Sequence, residues 1–175
     1  MSINTDRLVL RELEPRDAAR IALLAGDFDV ASMTGTIPHP YSERMAAEWI
    51  ASALHGEEGT VFVIERDGAL IGCVGYREDE KGGAELGYWL GKPYWGNGYA
   101  TEAAEALVTY AFDQGGLRYL TIGHFADNPA SARIIAKLGF VEQGEKIREC
   151  VAREEKALCV TYRLERATVL KAASP

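Results

Sequence analysis

The chain has 175 residues, 47% apolar and 26% charged, an ordinary globular composition that excludes collagen-like, low-complexity and wholly disordered chains. Its 19 basic and 26 acidic residues give a net charge of −7, which argues against a general nucleic-acid binder, because that needs clustered positive charge. The length suits one domain over 1–175, with volume for a core that needs no covalent staples.

Cys73, Cys150 and Cys159 cannot all pair with one another and no CxxC occurs, so three reduced thiols in a cytoplasmic protein are expected. The opening Met1-Ser2-Ile3-Asn4-Thr5-Asp6 has no charged-then-apolar leader pattern. No apolar run approaches the roughly 18 residues of a membrane span.

In chain order, residues 7–13 alternate through Leu8, Leu10 and Leu13 and read as a strand. Pro15-Arg16-Asp17 opens a helix through Leu24. Residues 26–41, with Gly26, Gly35, Pro38 and Pro40, read as a loop. Ser42 is an N-cap for a helix to about His55, with Met45, Trp49, Ile50 and Ala53 on its apolar face. Val61–Ile64 is a strand, Asp67-Gly68 a hairpin turn, and Leu70–Tyr76 the next strand. A polar turn at 78–83 leads to a strand over Ala84–Leu90. The apolar positions 100, 103, 104, 107, 108, 111 and 112 fit a helix from Ala100 to Phe112, stopped by Gly115-Gly116. Leu117–Phe125 is a strand. Asn128 caps a short helix with Pro129 in its first turn and Gly139 past its end. Phe140 opens a strand, and 157–164 form the last one. The core spans about 5–165, and the Ala-rich tail at 167–175 is expected to fray. Helices interspersed among strands and hairpins imply an α/β sheet with helices on both faces.

The stretch Glu85-Leu-Gly-Tyr-Trp-Leu-Gly-Lys-Pro-Tyr-Trp-Gly-Asn-Gly-Tyr-Ala-Thr-Glu102 carries the most chemistry. A strand runs through a loop with Gly91, Gly96 and Gly98 straight into a helix. Glycines let backbone approach a ligand closely, and the unpaired amides of a helix start form an anion site suited to a pyrophosphate. A plain strand-to-helix turn carries such glycines as well. The Walker pattern GxxxxGK followed by Ser or Thr is absent, as is GxGxxG. About one βα unit downstream lies a second candidate stretch, Asn128-Pro-Ala-Ser131-Ala-Arg133, closing on Leu138-Gly139-Phe140. As an N-cap, Asn128 also has a purely structural explanation.

Together these stretches resemble the GNAT (GCN5-related) N-acetyltransferases, whose acyl-CoA loop follows Q/R-x-x-G-x-G/A. Here the loop reads Trp95-Gly96-Asn97-Gly98-Tyr99-Ala100, with Trp95 in place of the usual Gln or Arg. That tryptophan, the N-x-x-S of the second helix, the opening Thr5-Asp6-Arg7-Leu8-x-Leu10-Arg11 and Pro40-Tyr41 resemble the RimJ/RimL branch. The resemblance covers residues 5–165. It implies the GNAT α/β fold: a mixed, mostly antiparallel sheet of about seven strands, helices on both faces, and two central parallel strands that splay apart.

Acetyl-CoA is then the cosubstrate, with no metal. Its pantetheine is expected along Trp89, Leu90 and Gly91. Its pyrophosphate is expected on the amides of Gly96, Asn97, Gly98, Tyr99, Ala100 and Thr101, beside Trp95. Asn128 and Ser131 would border the thioester. The resemblance further implies direct attack of an amine on the thioester, with a strand amide near Leu90 stabilising the oxyanion and Ser131 donating to the leaving thiolate. Other GNAT branches place a Tyr on this helix, where Ile135 stands here.

The base depends on the acceptor. A protein α-amine, with a pKa near 7.7–8.0, is roughly a tenth neutral at pH 7, whereas about one lysine in 2,500 is. Glu85, as a partly buried carboxylate on the strand entering the loop, is the leading base candidate, ahead of His124; either it or a strand-pairing structural role fits the sequence. His39 is a candidate substrate contact. Trp49, Tyr41, Tyr76 and Tyr88 are candidates to line the acceptor side, although aromatics as a class fill cores. Arg133 and Lys137, at i and i+4, suit CoA phosphates or a solvated face. Cys73 reads as a buried small residue. The acceptor is a protein N-terminus, such as that of a ribosomal protein, or a small amine (polyamine, aminoglycoside or amino acid). A non-catalytic acyl-CoA sensor is the reading of another class. Nucleic-acid and membrane partners are not expected, and the protein is a monomer or homodimer.

Overall fold

The computed structural model describes residues 1–168. The expected frayed tail at 167–175 lies, from residue 169 on, outside the described residues. One eight-stranded sheet runs in the order β1-β2-β3-β4-β5-β6-β8-β7. The strands are β1 (Ser2–Asn4), β2 (Val9–Arg11), β3 (Thr60–Arg66), β4 (Ala69–Glu78), β5 (Gly83–Leu90), β6 (Tyr119–Phe125), β7 (Val141–Cys150) and β8 (Glu155–Glu165). All neighbours pair antiparallel except β5 and β6. The helices are α1 (Ala18–Ala25), α2 (Phe28–Ala31), α3 (Glu43–Leu54), α4 (Tyr99–Asp113) and α5 (Pro129–Lys137).

Local chemistry sets most of these boundaries. Asp67 and Gly68 both take positive φ, 51° and 78°, the geometry of a tight two-residue hairpin turn. Ser42 Oγ accepts from Met45 N at 3.2 Å and starts α3, and Asn128 Oδ1 accepts from Ser131 N at 3.1 Å and starts α5.

Three expectations change. The sheet has eight strands rather than seven, because the three-residue β1 pairs with β2, Ser2 opposite Arg11. The strand expected over 7–13 shortens to Val9–Arg11, while Leu13 turns into a different core. The loop at 26–41 contains the one-turn α2, whose start is capped by Asp27 accepting from Asp29 N at 2.9 Å.

Each face of the sheet buries its own core. On one, Leu10, Phe62, Val74 and Leu86 pack with Leu107 of α4 and Ile135 of α5. On the other, Val63 and Cys73 pack with Ile21 of α1 and Ile50 of α3. Ala103, Ala104 and Ala111 of α4 are fully buried, and side chains this small let the helix lie close on the strands.

Candidate active site

The parallel pair β5/β6 makes only three register pairs, ending at Glu85 opposite Thr121. Beyond it, β5 stays with β4 to Leu90 and β6 stays with β8 to Phe125. The two strands therefore diverge into a V. The V opens into a cleft of about 1390 Å³.

Backbone alternation decides which groups face this V. Gly91 N donates to Ile71 O on β4 at 2.9 Å, and Thr121 Oγ1 on β6 reaches Ala84 O at 3.4 Å. Odd-numbered residues of β5 thus turn their N–H and C=O to β4, and even-numbered ones turn theirs to β6. Tyr88 consequently points its N–H and C=O into the open V, and Leu90 its N–H, the Leu90 carbonyl being taken by the Trp95 indole. The expected use of Trp89 and Gly91 backbone needs correction. Trp89 is directed to β4, and Gly91 is fully engaged, because its carbonyl also accepts from Tyr94 N at 2.9 Å. Gly91 is glycine for packing: a Cβ there would lie 2.7 Å from the Leu24 side chain of α1.

At the wide end of the V, Gly98 takes φ 80° and forms the N-cap of α4 with no side-chain cap. The first amides of this 15-residue helix, on Tyr99, Ala100 and Thr101, are left at the positive end of its dipole. Asn97 closes the loop on itself, its amide donating to Trp95 O at 3.0 Å and Tyr94 O at 3.2 Å. Trp95 donates its indole N–H to Leu90 O at 2.8 Å, which gives the residue at the family's Gln/Arg position a job in joining loop to strand.

A brace from the N-terminus holds the loop from outside. Glu102 accepts from Thr5 Oγ1 at 2.6 Å and from Arg7 Nε at 2.7 Å, and Arg7 also donates to Asn97 O at 3.0 Å. Burial acts to raise the Glu102 pKa, but the hydrogen bonds from Thr5 and Arg7 prevail and hold it below the usual carboxylate range. Arg133 and Lys137 of α5 line the cleft, exposed, and make no ion pair among the described residues.

At the apex, Ser131 faces Tyr88, with Oγ and Oη 2.6 Å apart. Burial pushes the Tyr88 phenol above its ordinary pKa. The Asn128 carbonyl holds Ser131 N, while its amide nitrogen makes no protein hydrogen bond among the described residues. Ile135 is fully buried in the core and turned away from this chemistry. His124 is buried with both ring nitrogens engaged. Its Nδ1 donates to Phe125 O at 2.7 Å and its Nε2 accepts from the Tyr162 hydroxyl at 3.1 Å. It holds β6 to β8 and is not a free base.

Glu85 is paired. Its side chain is 45% exposed, and Arg148 of β7 meets it at 2.5 Å, which favours the structural role over the base. The other carboxylates lining the cleft are paired too. Asp29 meets Lys92, Glu48 meets Arg44 at 3.1 Å, Glu58 meets Arg77 at 2.5 Å, and Asp127 meets Arg153 at 2.8 Å. Tyr41 and Trp49 line the cleft half-buried, and Tyr76 is buried. Burial pushes the Tyr41 phenol up to about 12 and the Cys73 thiol up further, so Cys73 is no nucleophile. His39 lies away from the cleft lining, its Nδ1 2.9 Å from Gly26 O and its ring edge-on to Phe28.

The cleft thus offers an extended anionic ligand an uncapped helix start, two unpaired cations and a strip of open strand backbone. A family model described as an acetyltransferase (GNAT) domain matches residues 7–141. The uncharacterized N-acetyltransferase YoaA of Bacillus subtilis (strain 168) is 33% identical over 149 residues, 81% of this chain and 84% of its own. The ribosomal-protein-serine acetyltransferase of Escherichia coli (strain K12) is 33% identical over 86 residues, 48% of each chain. RimL, solved as a ribosomal L7/L12 alpha-N-protein acetyltransferase in complex with coenzyme A, shares the fold. Its TM-score is 0.81 at 18% identity, over 94% of this chain and 98% of that one. The chain belongs to the GNAT acetyltransferase family and is an acetyl-CoA-dependent N-acetyltransferase.

Proposed function

We propose that the acceptor is the N-terminal α-amine of a protein, attacking acetyl-CoA directly in a ternary complex. The observation that carries this reading is the pairing of every carboxylate lining the cleft among the described residues, together with the engaged nitrogens of His124. With no unpaired base at hand, the site favours an amine that supplies its own neutral fraction. An α-amine with a pKa near 7.7–8.0 does so, while a lysine near 10.4 does not. The paired carboxylates also leave little unbalanced negative charge for a polycation. The name of the Escherichia coli relative, a ribosomal-protein-serine acetyltransferase, supports the same class of acceptor.

In this reading the amides of Gly96 to Thr101 receive the pyrophosphate, with Arg133 and Lys137 nearby. The pantetheine lies along the open backbone of Tyr88 and the N–H of Leu90, against the free side-chain amide nitrogen of Asn128. The neutral amine forms its C–N bond to the acetyl carbon while a strand amide, on Tyr88 or Leu90, meets the oxyanion. The C–S bond then breaks, the thiolate accepts a hydrogen bond from Ser131, and the proton shed by the amine passes to water.

Free-thiol release from acetyl-CoA tests this, with a panel of peptides, polyamines, aminoglycosides and amino acids. Turnover is expected with free-N-terminal peptides and is lost when that amine is blocked, whatever lysines the peptide carries. With such a peptide, kcat/KM is expected to rise with pH with a midpoint at about 8 and to level off about one unit higher, as the acceptor loses its proton. Turnover confined to polyamines or aminoglycosides would overturn the α-amine reading.

A further inference from the structure

We propose that Tyr88 is a positioning residue for the leaving-group step, its hydroxyl donating to Ser131 Oγ so that the serine's own proton is directed at the departing sulfur. This rests on the reading of Ser131 as the group that meets the thiolate. A serine in the first turn of a helix has a rotating hydroxyl with one proton and two acceptor sites. Left alone, it tends to bond locally to backbone rather than to a ligand. The 2.6 Å contact with Tyr88 Oη removes that freedom.

Either hydroxyl can donate across this contact, and donor strength favours the phenol. A phenol is a stronger donor than an alkanol, and burial keeps the Tyr88 phenol protonated. Tyr88 Oη has no other hydrogen-bond partner among the described residues. Ser131 therefore accepts from Tyr88, and its own O–H is released toward the cleft that both residues line. A hydroxyl that accepts a hydrogen bond also donates a stronger one.

The contact spans the V as well. Tyr88 sits on β5, one arm of the opening, and Ser131 sits on α5, which follows β6, the other arm. The residues are 43 positions apart, and near Tyr88 the two strands no longer pair. The same residue that turns its backbone into the V thus sets the hydroxyl on the opposite side. Raising a tyrosine on the strand into this role fits the presence of buried Ile135 on α5, which has no proton to offer.

The test is a double-mutant cycle in the full chain, reading kcat, the KM for acetyl-CoA and the Kd for CoA. Tyr88→Phe keeps the ring and its packing, and it is expected to lower kcat about tenfold with both donor constants within about twofold. Because the phenol acts only through the serine, Ser131→Ala/Tyr88→Phe is expected to be no slower than Ser131→Ala alone. The proposal is overturned by a Tyr88→Phe protein with wild-type kcat beside an impaired Ser131→Ala. Losses that multiply in the double variant overturn it too, as does a Tyr88→Phe protein that loses CoA affinity in place of turnover. If Ser131→Ala turns over like wild type, the Ser131 reading itself fails.

Discussion

The two sides of the cleft are built in different ways. On the donor side the groups that face the opening are backbone: the N-terminal amides of α4 and the even-numbered residues of β5. The cations there, Arg133 and Lys137, stand unpaired among the described residues. On the other side the groups are side chains gathered from several segments, and among the described residues each carboxylate lining the cleft is matched to a cation. In the proposed reading, a ligand with a pyrophosphate would meet amides whose positions the fold fixes. The acceptor would instead meet side chains, each of which can be substituted without moving a strand.

Four substitutions would break or sharpen this contrast. Gly98→Val has the largest expected effect. A β-branched residue at φ 80° strains the loop, and its Cβ would lie 3.4 Å from Arg7. CoA affinity by calorimetry should fall about a hundredfold, the scale of about 3 kcal/mol of backbone strain. Ser131→Ala should lower kcat by about a hundredfold while the CoA Kd stays within a few-fold, because the loss belongs to the leaving-group step.

Glu85→Gln separates the two sides most sharply. A free general base would contribute about a hundredfold or more to rate. Held by Arg148, Glu85 should contribute less than about fivefold to kcat, with the change falling on the acceptor KM and none on CoA affinity. Asn128→Ala should be the mildest. It removes the α5 cap, for about 1 kcal/mol of stability in thermal unfolding, and weakens CoA binding a few-fold.

The same contrast explains what the sequence made legible. Asp67-Gly68, Ser42, Asn128 and the Gly98 loop act on neighbours within a few residues, so their roles can be read from local spacing. The short β1 and α2 escape notice because three and four residues carry no period. The Glu85 partner, Arg148, lies on β7, 63 positions later, and no local pattern announces it. Its absence from view is why Glu85 reads as a partly buried base. Tyr88 likewise reads as one aromatic among several, because its meaning comes from Ser131 across the V. The brace from Thr5 and Arg7 to Glu102 joins two stretches that each resemble the family, yet only the fold brings them together.

The proposed site holds acetyl-CoA between the open β5 backbone and the α4 start. Amide-resolved NMR during titration with acetyl-CoA tests it most directly. The largest shifts are expected at Tyr88, Leu90 and Gly98 to Thr101, with Ser131 following and residues 29–38 little changed. Shifts centred on 29–38 and Arg148, with the Tyr88, Leu90 and Gly98 to Thr101 amides silent, would contradict it.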